Sequence, residues 1–185
     1  ISNNASFNTN TDVLLDTASN NFGSLLIAAR GAQINEADAT DLNSVNLSGD
    51  LSLNSTGAIT DSGNVTVLGN TTLDTGGNSA ITLDNSNNDF NVVTIASVGD
   101  AVTLSDINTV DFGTLNAASL NVTTAGDITD SGTIVVSGET RLNSGDDANI
   151  VFDDEASDFG SVTIASSGDT VVLNDSDAID LGAMS

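Results

Sequence analysis

GAITDSGNVTVLGNTTLDTGGNSAITLDNSNNDFNVVTIASVGDAVTLSD, from Gly57 to Asp106, returns 69 residues later as GDITDSGTIVVSGETRLNSGDDANIVFDDEASDFGSVTIASSGDTVVLND, from Gly126 to Asp175, with no gap between the two copies. A more diverged copy lies upstream, where LLDTASNNFGSLLIAARG (Leu14 to Gly31) matches TLDNSNNDFNVVTIASVG (Thr82 to Gly99). Self-similarity at a fixed period is the signature of a repeat architecture, in which each unit buries its apolar face against its neighbours. The chain divides into units of approximately 1–56 (diverged), 57–125 and 126–185 (truncated), all within one segment, 1–185.

Within a unit the apolar residues come in pairs two apart: Val65 and Val67, Ile81 and Leu83, Val93 and Ile95, Val102 and Leu104, Val110 and Phe112, Leu120 and Val122. Spacing by two puts both side chains on one face of a strand, and the residue between them faces the other way. Gly, Asn or Asp clusters end each run after a few residues, and no apolar stripe of helical period persists. Short strands with one dry face can close as a small sandwich or as a coil. The aromatic anchors and hairpin dipeptides that sandwiches favour are missing, so the coil is preferred. The expected fold is all-β, a parallel β-helix (β-solenoid) of about eight turns without substantial helix. A turn of roughly 20 to 25 residues allows about three turns per unit. The glycines at Gly63, Gly69, Gly76, Gly99 and Gly113, each retained one unit later, read as corners needing positive φ or close approach.

Composition narrows the function classes. The 185 residues carry 26 acidic and 2 basic side chains, a formal net charge of −24, with no Cys, Pro, His, Trp or Tyr. That charge repels nucleic acid and anionic lipid, and no apolar run reaches membrane-spanning length, so neither nucleic-acid binding nor direct membrane insertion is expected. Without His a serine hydrolase triad cannot be built, and without Cys there is neither a disulfide framework nor a thiolate metal site. Arg30 and Arg141 read as neutralising nearby carboxylates. The start at Ile1 and the interrupted repeat at Ser185 read as a piece of a longer mature chain.

The densest acidic cluster is Asp146, Asp147, Asp153, Asp154, Glu155 and Asp158, and four of these six have no carboxylate counterpart one unit earlier. Calcium takes six to eight oxygen ligands and would suit such a corner, although neither an EF-hand loop nor a calcium-binding nonapeptide is present. The plainer reading is a solvated acidic edge, so no cofactor is expected and weak calcium binding is the alternative. Paired carboxylates could also serve a polysaccharide lyase or hydrolase. However, Asp61 and Asp130 sit in the matched DSG corners, and Asp84, Asp89, Asp106 and Asp111 all recur. An active site is needed once and a corner in every turn, so no catalytic residue is expected.

The quoted repeats resemble those of filamentous haemagglutinin-like exoproteins and related bacterial surface adhesins, from about Asp12 onward. The resemblance implies that the coil is a right-handed parallel β-helix, the shaft of a secreted or cell-surface fibre, extracellular and without catalytic residues. Its partners would be surface glycans or proteins of a host or neighbouring cell, with self-association into fibres possible in that setting. The secretion domain usual at the beginning of such proteins is not recognisable. Alternatives are a polysaccharide-binding or polysaccharide-cleaving β-helix, and a calcium-stabilised matrix or surface-layer protein.

Overall fold

The computed structural model describes residues 4–77, 79–96, 100–165 and 170–184. Among them every regular element is a β-strand, and every strand pairing is parallel. The chain winds as a β-solenoid of about eight turns. At the usual spacing between neighbouring strands this makes a rod roughly 38 Å long. All twelve residues of the six apolar pairs named above point inward, none more than 3% exposed.

The core is a set of in-register columns. One runs Thr40, Ile59, Ile81, Val102, Leu120, Thr140, Val162, Leu181. Another runs Leu15, Ile34, Leu53, Leu73, Ile95, Leu115, Ile134. Apolar side chains thus stack on like side chains, which is why a chain only 38% hydrophobic still has a continuous dry centre. Aromatic rings also pack within the seam: Phe152 stacks on Phe159 with centroids 5.7 Å apart and meets Phe112 edge-on at 6.3 Å.

Each turn carries three paired segments, and the longer strands bend between two of them. The strand Val65–Asp74 pairs through Val65–Val67 with the strand Thr40–Leu47, and through Thr71–Asp74 with the strand Leu51–Ser55. Paired residues lie from 17 apart, as in Leu25 with Leu42, to 23 apart, as in Val67 with Phe90. The turns are therefore somewhat tighter than the roughly 20 to 25 residues expected. Successive turns approach so closely at the corners that Gly63 has no room for a side chain: a Cβ there would sit 1.6 Å from the Asn43 carbonyl oxygen. Gly76, by contrast, faces open space and is required by its φ of +68°. Gly99, Gly168 and Asn78 lie outside the described residues.

Candidate functional site

The acidic residues fall into two structural classes, those that hold adjacent turns together and those that face solvent. Asp61 belongs to the first class. Its carboxylate accepts the backbone N–H groups of Asp84 (3.1 Å) and Asn85 (3.2 Å) in the next turn, and the side-chain amide of Asn88 (2.7 Å). Asp130, in the second DSG corner, repeats this with the N–H groups of Asp153 (3.0 Å) and Asp154 (3.4 Å). Burial pushes the Asp130 carboxyl above its ordinary pKa against the pull of those two donors. The recurrence of DSG therefore has a mechanical cause, since the corner carboxylate receives backbone donors that the turn above leaves unpaired.

A second recurrent device was not legible as such in the sequence. The backbone N–H of each phenylalanine in the NNF and SDF/NDF phrases is taken by a carboxylate in the following turn. Glu36 accepts from Phe22 (3.1 Å), Asp106 from Phe90 (2.7 Å) and Asp175 from Phe159 (3.2 Å). Asp106 also accepts the N–H of Asn108 at 2.7 Å. Glu36 and Asp106 are buried, and burial pushes the Glu36 carboxyl up and the Asp106 carboxyl up to about 6. The signal was present in the constant spacing from Phe90 to Asp106 and from Phe159 to Asp175, in a phrase that otherwise reads as a turn entering a strand.

Two outer residues flank each of these carboxylates, and here the copies differ. In the first, Asn21 donates its amide to Asp38 at 2.7 Å. In the second the roles are exchanged, and Asn108 donates to Asp89 at 2.9 Å. In the third both positions are acidic: the carboxylates of Asp158, Asp175 and Asp177 each place an oxygen within 4.8 Å of the others. The Oδ2 atom of Asp175 is buried without a hydrogen-bond partner.

Of the six acidic residues singled out in the sequence, only Asp158 joins this group. Asp146 and Asp147 lie in the corner before the strand Ile150–Phe152, and Asp153, Asp154 and Glu155 lie in the corner after it. Asp147 adopts a φ of 59°, a left-handed conformation that aspartate tolerates better than most residues. Asp154 is half-buried and accepts the Ala156 N–H at 2.8 Å, while Asp146, Asp147, Asp153, Glu155 and Asp158 are exposed. Both arginines pair with carboxylates, Arg30 with Asp12 in a two-pronged contact and Arg141 with Glu139 at 2.9 Å. The Arg30–Asp12 pair borders an open groove of about 480 Å³ that Leu14, Gly31 and Asp50 also line.

Residues 29–97 and 99–166 each match one family model, described as repeats of unknown function (DUF5649). The matched segments end 69 residues apart, the period of the sequence repeat, and begin elsewhere in its cycle. No curated protein and no solved structure matches the chain.

Proposed function

This chain belongs to that repeat family, and we propose that it is a structural and adhesive rod segment of a large secreted or cell-surface bacterial protein. In this reading it acts by extending and holding its shape, not by catalysis. The observation that carries the proposal is the use made of the recurrent acids: Asp61, Asp130, Glu36, Asp106 and Asp175 all accept backbone donors between turns. Groups with that duty are poorly placed to shuttle protons to a substrate. A dense negative surface keeps parallel rods apart in solution, and a stack of hydrogen-bonded turns resists bending. The resemblance to filamentous haemagglutinin-like exoproteins supports the same reading, with glycans or proteins of a neighbouring surface as partners.

The test joins two measurements. Tandem arrays of the unit, imaged by electron microscopy, should lengthen in proportion to the number of units while staying unbranched and straight. A polysaccharide panel incubated with the protein should show no cleavage products. Turnover abolished by replacing one carboxylate would overturn the reading.

A second reading, a calcium-stabilised matrix protein, is favoured by the third copy alone, where Asp177 stands in place of the amide of Asn108. Melting with and without millimolar calcium at fixed ionic strength tests it. A rise that disappears in Asp177→Asn supports it, and an unchanged curve removes it.

A further inference from the structure

The stacking columns and the sequence repeat do not share a period. Following hydrogen-bonded partners upward from Ile59 leads through Ile81 and Val102 to Leu120, three turns on. The sequence counterpart of Ile59 is Ile128, and Ile128 stands in a different column, with Val110 below it and Ile150 above. The same displacement holds elsewhere. Thr71 stacks under Val93 and Phe112, whereas its counterpart Thr140 stands in the column of Ile59. One unit thus spans three turns plus one of the three sides. The acidic corners follow: Asp61 stacks on Leu42, but Asp130 stacks on Phe112, at another edge of the coil.

We propose that the rod presents its repeated outer surface on a screw, each unit turned by one side, about a third of a turn, relative to the one before it. No single side then carries a stripe of equivalent groups. A flat partner lying along one side meets the same acidic corner only at every third unit, after about 207 residues and ten turns, or about 48 Å. The partner this surface fits binds one unit at a time, and successive copies of it are splayed around the rod. This geometry holds whether or not the adhesive reading is right.

The chain has no cysteine, so paired spin labels report the phase directly. Thr60, Thr82, Thr103, Asn121 and Arg141 form one outward-facing column, so the variant Thr60→Cys/Arg141→Cys places labels four turns apart on one side. Val151 lies at a similar height in the column of Asp111 and Thr129. Double electron–electron resonance should give the shorter distance for Thr60→Cys/Arg141→Cys, about 19 Å between backbones, and a longer one for Thr60→Cys/Val151→Cys. If the unit were a whole number of turns, Val151 would stand directly above Thr60 and the order would reverse. Equal or reversed distances overturn the proposal. The pairs Thr82→Cys/Thr163→Cys and Thr82→Cys/Val172→Cys repeat the comparison one turn higher, should a first variant fail to fold.

Discussion

Thr71 and Thr140 occupy the same place in successive units, wholly buried in apolar columns, and neither hydroxyl has a hydrogen-bond partner. A buried hydroxyl without a partner costs desolvation that a methyl of the same shape avoids. Thr71→Val and Thr140→Val should therefore each raise stability by about 1 kcal/mol, read as a higher urea midpoint at unchanged slope. The flanking acids of the third copy invite a similar repair. Asp177→Asn recreates the amide-to-carboxylate contact that Asn108 makes with Asp89, and should raise the melting temperature in calcium-free buffer. Asp106 sets a pH dependence. Burial is the first cause that raises its folded-state pKa from the ordinary carboxylate range to about 6. The stability it contributes is complete below the unfolded value and is lost as the pH rises through about 6. Melting temperature should climb as pH falls from 7 to 4.5, and Asp106→Asn should flatten that part of the slope. Discharge of the general acidic surface acts in the same direction, so the difference between variant and parent is the informative quantity.

At the scale of strands and corners, period-two pairs identified the inward residues because a strand alternates its faces and only one face is dry. Alternation needs nothing beyond local spacing, and it marks the seam without marking what the corners do. Corner roles depend on which residues meet one turn later, between 14 and 27 positions along the chain, and local pattern carries no record of that pairing. Asn88 illustrates the point. In the sequence it is one of many asparagines, yet it is fully buried, accepts the Val65 N–H at 2.8 Å and donates to Asp61 and to the Leu83 carbonyl. Its counterpart Ser157 keeps only the acceptor role, receiving the Ile134 N–H at 3.0 Å. Asn88→Ala should cost about 2–4 kcal/mol in chemical denaturation, and Asn88→Ser distinctly less, because the hydroxyl still meets the strand donor. The acidic cluster that looked densest along the sequence is split by the strand Ile150–Phe152. The three carboxylates that do converge, Asp158, Asp175 and Asp177, are gathered by the winding of the chain.

For the whole molecule, the repeat announced a stack of equivalent units but concealed their phase. A period of 69 residues is close to three turns, and only the strand register reveals the extra side. Because each unit meets its neighbours through the same kinds of contact, excising one should leave a folded rod. Joining Ala58 to Ile128 should shorten the particle by about 16 Å, measured by small-angle scattering, with cooperative unfolding retained. The central claim is the parallel, in-register stack itself, and nuclear Overhauser contacts between backbone protons of successive turns test it most directly. The expected contacts link Thr60 to Thr82, Thr82 to Thr103, Thr103 to Asn121 and Asn121 to Arg141, all in the parallel pattern. Antiparallel contacts between sequence-adjacent strands in place of that ladder would contradict it.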